Sequence, residues 1–295
     1  MQGARGAPRQ GERRTGVTAI VKRVCPSCDV TVTTPYCPSC GERELDVHDL
    51  TLRGLAHQAV TALVSVDSRL LRSFRRLVTQ PGALTVAYLR GSRKPYLAPL
   101  QLFLVANVLF FALQSLTGDK ILSTPLADHL QNQPWSPVAA GLVADHLAGS
   151  ERTVAEYAPT FDAAVALNAK SLIVLMALAF AVLLPLTFPR TPLVTHVVFA
   201  LHFYAFLLLV LCTAVSLAFL DVLGGGAGLR SGAVDHALSV MNLVVCALYL
   251  YVATGVVYRA VGARRWAQVA VLVLGVAAIF LGYRFALLLI TLATT

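Results

Sequence analysis

From Leu97 to Leu116 the chain runs for about 20 residues without a charge, carrying only Gln101, Asn107 and Gln114 among apolar side chains. That length crosses a hydrocarbon core of about 30 Å as a helix, which satisfies its own backbone hydrogen bonds in lipid. Immediately before it stand Arg90, Arg93 and Lys94. Each would cost about 2.5–3.5 kcal/mol at the bilayer centre, so the chain changes solvent here. Tyr96 suits the headgroup level, and Pro95 and Pro99 suit the first turn of a helix better than its middle. Arg90, Arg93, Lys94 and Tyr96 therefore form an interfacial basic belt in front of a membrane span.

Composition extends this conclusion to the rest of the chain. Hydrophobic residues make up 57% and charged residues 13%, about half the charged share of a soluble domain. The net charge of +9 is lopsided, with fifteen of the twenty-four Lys and Arg preceding Leu97. By the positive-inside rule that segment belongs in the cytoplasm. Met1 to Gly16 is basic without an apolar core, so no signal peptide is expected and the first span directs insertion.

The stretch Arg90-Gly-Ser-Arg-Lys-Pro-Tyr-Leu-Ala-Pro-Leu-Gln-Leu-Phe-Leu104 resembles the signature of a bacterial membrane-protein family catalogued as domain of unknown function 3667. The later His196-Val-Val-Phe-Ala-Leu-His202-Phe-Tyr resembles it as well. The resemblance implies an N-terminal four-cysteine knuckle, a basic helical segment and several membrane helices. It implies no activity.

Cys25-Pro-Ser-Cys28 and Cys37-Pro-Ser-Cys40-Gly41 are two Cys-x-x-Cys pairs eight residues apart. Each pair can present two thiolates from one tight turn, and four thiolates complete the tetrahedron of a structural zinc site. The alternative of two disulfides or redox pairs fits a cytosolic location poorly. With four protein ligands no position remains for water, so Cys25, Cys28, Cys37 and Cys40 are read as structural ligands of zinc, available to a protein partner through the knuckle they fold.

The domain reading is a disordered basic tail over 1–20, a four-cysteine zinc knuckle over 21–46, cytosolic or interfacial amphipathic helices over 47–96, and a transmembrane domain over 97–295. From Leu50 to Val78 apolar residues recur at spacings of three and four, opposite Arg53, His57, Arg69, Arg72, Arg75 and Arg76. That helix either lies on an anionic leaflet or packs on the bundle. Gln80-Pro81-Gly82 reads as a stop and restart before a second helix ending at Leu89. Spans are expected over about 97–116, 171–188, 194–220, 237–258 and 266–292, an all-α bundle of five helices with the N-terminus cytoplasmic and the C-terminus outside an inner membrane. Thr117 to Lys170 is then an acidic outer segment, with a short helix within Pro137 to Leu147.

Few residues inside the spans can carry chemistry. Arg284 is a lone cation in an oily segment, about 12 Å from Leu292 along a helix, and serves either as a snorkelling or hydrogen-bonded structural group or as an anion or lipid-headgroup site. Asp221 and Asp235 are its nearest expected acids. His196 and His202 are six residues apart, so they do not share a helix face; they read as buried histidines bonded across helices or as a proton-linked site. Cys212 and Cys246 read as small buried hydrophobes. His129, His146 and His236 each follow an Asp in an expected outer segment, which raises an external metal or pH-sensing cluster against simple placement in solvated loops. Gly224-Gly-Gly-Ala-Gly228 is followed by no Gly-Lys-Ser or Gly-Lys-Thr, so it is no phosphate loop. No nucleophile elbow, His-Glu-x-x-His or paired intramembrane carboxylate is present.

The leading functional reading is a non-enzymatic scaffold or lipid- or partner-binding protein of the membrane. Anionic lipids at the cytosolic face are the expected partner and nucleic acid is not. Two alternatives stand beside it: a transporter or channel lined by Asn107, His202 and Arg284, and a lipid-acting enzyme using His196 with Arg93, Lys94 and Tyr96.

Overall fold

The computed structural model describes residues 22–43, 69–118, 121–149 and 152–295. The expected basic tail and the part of the expected Leu50 to Val78 helix that precedes Arg69 lie outside these residues. A two-stranded antiparallel hairpin, β1 (Arg23–Val24) and β2 (Thr31–Val32), pairs Arg23 with Val32 and Val24 with Thr31. Then follow α1 (Arg69–Thr79), α2 (Ala83–Leu89), α3 (Pro99–Thr117), α4 (Leu126–Gln131), α5 (Ser136–Leu147), α6 (Val154–Leu172), α7 (Val174–Thr187), α8 (Leu193–Leu223), α9 (Gly232–Tyr258) and α10 (Gly262–Thr294).

Four of these helices, α3, α8, α9 and α10, are long and apolar enough to cross a membrane, and α6 with α7 makes a fifth crossing if the pair is one span bent by 46°. Apolar side chains also cover the outside of the bundle. Val182 is 71% exposed, Leu186 80% and Leu274 70%, an arrangement stable only where the surroundings are themselves apolar. The chain is a helical membrane protein.

The centre of the bundle is α8. It is buried along most of its length and packs against α3, α7 and α9, with α10 closing on α7 and α9. Its middle carries Phe199, Phe203, Tyr204 and Phe206, which pack with Phe180 of α7 and Tyr249 of α9. Interlocked rings of this kind add directional packing where lipid supplies no hydrophobic drive between helices.

One departure from the sequence reading concerns the second span. A helix does begin near Ser171, at Val174, but a longer one precedes it. The longer helix begins at Val154, where Thr153 accepts from the Glu156 N–H and the Glu156 carboxylate accepts from the Thr153 N–H, a reciprocal capping box. It runs to Leu172, bends, and continues as α7 to Thr187. The segment from Thr117 to Lys170 thus contributes three helices, and α6 is tied to α10 by Tyr283 donating to the Ala169 carbonyl at 2.8 Å.

Residues 69–98 take the second of the two expected placements and pack on the bundle. α1 buries Ser73 and Leu77 while Leu71, Arg72, Arg75 and Val78 stay exposed. At Gly82 the chain reverses, as Gln80-Pro81-Gly82 led one to expect. α2 then packs between α8 and α9, burying Leu84, Thr85 and Tyr88. Gly82 has φ +84°, and a Cβ there would lie 3.1 Å from the Ala253 carbonyl and 3.1 Å from Val257 Cγ2. Only glycine combines that conformation with that approach. Gly82→Val is expected to destabilise the protein by about 2–4 kcal/mol, from left-handed strain plus overpacking. A lower thermal unfolding midpoint in detergent would report it.

Candidate metal centre and its seat

The two cysteine pairs fold as near copies of one turn. In the first, the Asp29 N–H donates to the Cys25 carbonyl and the Cys25 N–H to the Val30 carbonyl, both at 2.9 Å. In the second, the Gly41 N–H donates to Cys37 and the Cys37 N–H to Glu42, both at 2.8 Å. The residue after each second cysteine is left-handed, Asp29 at φ 59° and Gly41 at φ 71°. Short polar Asp and Gly are among the residues that tolerate this. The turns meet face to face, with Cys25 Sγ 3.5 Å from Cys40 Sγ and Cys28 Sγ 3.5 Å from Cys37 Sγ.

All four sulfurs lie within 4.8 Å of one another, and none is in a disulfide. A tetrahedron on metal–sulfur bonds of about 2.3 Å places its sulfurs about 3.8 Å apart, so the cluster fits a metal ion. Its electrostatics point the same way. The Cys37 thiol is held low, at about 6, chiefly by the Cys40 backbone N–H and then by that of Ser39. Cys40 has the favourable Glu42 N–H beside it, yet burial and the three neighbouring sulfurs push it up to about 12. Four thiolates at this spacing need a cation among them. Among the described residues no other group of three or more His, Cys, Asp or Glu side chains is close enough to share a metal.

The centre is seated on the belt that precedes α3. Glu42, directly after the second turn, is only 4% exposed. Its Oε2 accepts from the backbone N–H of Arg93 at 3.1 Å, from that of Lys94 at 3.0 Å and from the Ser27 hydroxyl at 2.5 Å. Ser27 also lies 3.2 Å from the Ser92 hydroxyl. The belt loop is fixed from below as well. The Leu97 N–H donates to Ser73 at 2.9 Å, Arg76 donates to the Tyr96 hydroxyl, and the guanidinium of Arg93 lies 4.8 Å over the ring of Tyr88. Arg90 and Lys94 are exposed. The two belt amides are thus a receptor for a carboxylate from the cysteine turns, a role that side-chain charge alone did not suggest.

The expected intramembrane residues do not meet in one cavity. His202 is buried and its Nδ1 lies 2.9 Å from the Thr85 hydroxyl, joining α8 to the inserted α2. His196, also buried, has Nδ1 3.0 Å from the Tyr258 hydroxyl, joining α8 to α9. Asn107 is half-buried on α3. Arg284 sits at the opposite end of the bundle, where its Nη2 donates to the Ile121 carbonyl at 2.7 Å and its guanidinium lies 4.7 Å over Phe280. Of the two acids expected near Arg284, Asp235 acts on it electrostatically, together with Asp128. Asp221 instead accepts from the Gly228 N–H at 3.0 Å and closes the glycine-rich loop.

That end holds a pairing invisible in the linear chain. His129, fully buried on α4, accepts from the indole N–H of Trp135 at 3.2 Å and lies close enough to Arg284 to feel its charge. Burial first, and Arg284 second, lower its pKa to about 4. His146 and His236 are exposed, and among the described residues neither shares a metal-sized cluster with His129. His129 is therefore neutral in the folded protein while an unfolded histidine titrates near 6.5. Between those values the unfolded chain binds the extra proton, so stability is expected to fall as pH drops from about 6.5 towards 4. His129→Gln should flatten this part of the curve of unfolding midpoint against pH.

Residues 67–111, which contain α1, α2, the belt and the first two thirds of α3, match the family model described as protein of unknown function (DUF3667). This is the family that the belt residues resembled. The matched stretch contains the reversing hairpin and the two amides that hold the Glu42 carboxylate. No curated protein and no solved structure matches the chain.

Proposed function

We propose that the protein is a membrane-anchored scaffold whose Cys25, Cys28, Cys37 and Cys40 hold one structural zinc ion, presenting the folded knuckle at the cytosolic face to a protein partner. The single observation that carries this reading is the buried Glu42 carboxylate held by the Arg93 and Lys94 amides. It joins a small metal-dependent fold to the membrane domain at a defined place and orientation. A closed set of four sulfurs leaves no ligand position for a substrate, which favours a structural role. Thiolate chemistry suits zinc, and the concentration of cations before Leu97 supports a cytoplasmic location. On that sidedness the belt residues Arg90 and Lys94 also face anionic headgroups.

The test combines elemental analysis with topology. Purified protein is expected to carry one zinc per chain, and reporters fused within residues 1–90 are expected on the cytoplasmic side. An absence of zinc with all four cysteines intact, or substrate turnover in bilayers that His202→Ala or Arg284→Ala abolishes, would overturn the proposal.

A further inference from the structure

The loop between α7 and α8 and the loop between α9 and α10 lie at one end of the bundle, where Tyr258 meets His196 and Phe188 and Gln268 reaches Thr187. A cavity of about 410 Å³ opens between them. Phe188 and Tyr258 line it, their rings stacked with centroids 4.0 Å apart. Arg190, Arg259 and Arg264 line it too, each exposed, and no carboxylate does. Gln268, also in the wall, bridges the two loops by donating to the Thr187 carbonyl at 3.3 Å.

Three features mark this cavity, and a bound anion would relieve the second and third. Arg259 ends α9 in the left-handed conformation, φ 55° and ψ 32°, where glycine is the usual residue. A non-glycine residue there costs about 1–2 kcal/mol. Arg264 lies in the first turn of α10, at the positive end of a 33-residue helix, where a cation is disfavoured. The N-cap of that helix, Val261, lines the cavity and provides no side-chain acceptor for the first N–H groups. Arg265, next along the helix, contrasts with Arg264: it turns back to donate through Nε to the Tyr251 carbonyl at 2.8 Å, and its guanidinium stacks 3.8 Å over the Tyr251 ring. Three cations, uncapped helix N–H groups and an acid-free wall are the elements that bind phosphate oxygens. Basic pockets between membrane helices bind phospholipid headgroups by the same chemistry.

We propose that this cavity binds a phosphate group, carried by a phospholipid headgroup or free in solution, through Arg190, Arg259 and Arg264. The site is separate from Glu42 and its belt, so its failure would leave the scaffold reading standing.

The full chain in detergent, titrated with phosphatidylglycerol or phosphatidylcholine and weighed by native mass spectrometry, tests it, with inorganic phosphate as a second arm. Retention of phosphatidylglycerol over phosphatidylcholine, weakened at least tenfold in the triple variant Arg190→Gln/Arg259→Gln/Arg264→Gln and largely kept in the triple Lys variant, is the expected result for a lipid source. Binding of inorganic phosphate with no preference between the lipids, lost in the same variant, assigns the site to a free anion. If the triple Gln variant does not fold, Arg264→Gln alone is read in its place. Arg230→Gln, at the other end of the bundle, should change nothing. Equal binding by wild-type and Gln proteins in both arms, or no binding in either, would overturn the proposal.

Discussion

Removing the metal is expected to unfold residues 22–43 and release them from their seat. The fold there has little else to hold it: two strands of two residues each and a core of Cys25, Val32 and Cys37. Structural zinc sites contribute roughly 10–16 kcal/mol of apparent binding free energy, far more than so few apolar contacts can supply. Chelation, or Cys37→Ser, should therefore raise the rate of proteolytic cleavage within this segment by orders of magnitude, leaving α3 and α8 to α10 intact by circular dichroism. Acidification should act in the same direction, because protons compete with the metal for all four thiolates. Unchanged cleavage after complete loss of metal would mean that the turns are held by something other than the centre.

Glu42→Ala is expected to separate metal binding from docking. Two backbone N–H donors and the Ser27 hydroxyl converge on one carboxylate oxygen, and a hydrogen bond to a charged group contributes about 1.5–3 kcal/mol. Losing them, and leaving the Arg93 and Lys94 amides without their acceptor, should weaken docking by on the order of 3 kcal/mol, roughly a hundredfold. The variant should still bind one metal ion, since Glu42 donates no ligand atom; its backbone carbonyl, which accepts from Cys37, is unaffected by the substitution. Glu42→Gln keeps an acceptor but loses the charge, so it should fall between the two. The readout is the reactivity of residues 22–43 to protease in the metal-loaded protein, which a purely structural role for the metal would not move.

The membrane character, the four-cysteine centre and the reversal at Gln80-Pro81-Gly82 were legible because each is written locally, in an uncharged run, in two four-residue turns and in a Pro-Gly pair. The start of α6 was legible too. Thr153-Val-Ala-Glu156 has the capping-box spacing, although the acids and Lys170 around it give the segment the charge of an outer loop. Other features needed three dimensions. Glu42 sits in a polar stretch with no period to mark it, and its partners are backbone amides about fifty residues away, which no side-chain pattern can reveal. His202 meets Thr85, and His129 comes within reach of the Arg284 charge, only through the fold. The six-residue spacing of His196 and His202 correctly placed them on separate faces, and each found its own hydroxyl partner.

The most direct measurement of the account is amide hydrogen exchange over residues 90–97 in three states: metal-loaded wild type, chelated wild type and metal-loaded Glu42→Ala. The Arg93 and Lys94 amides should be protected in the first state and exchange markedly faster in the other two, while α8 stays protected throughout. Protection of those two amides that survives both chelation and Glu42→Ala would contradict the claim that the Glu42 carboxylate, presented by a metal-held turn, seats the cysteine centre on the membrane bundle.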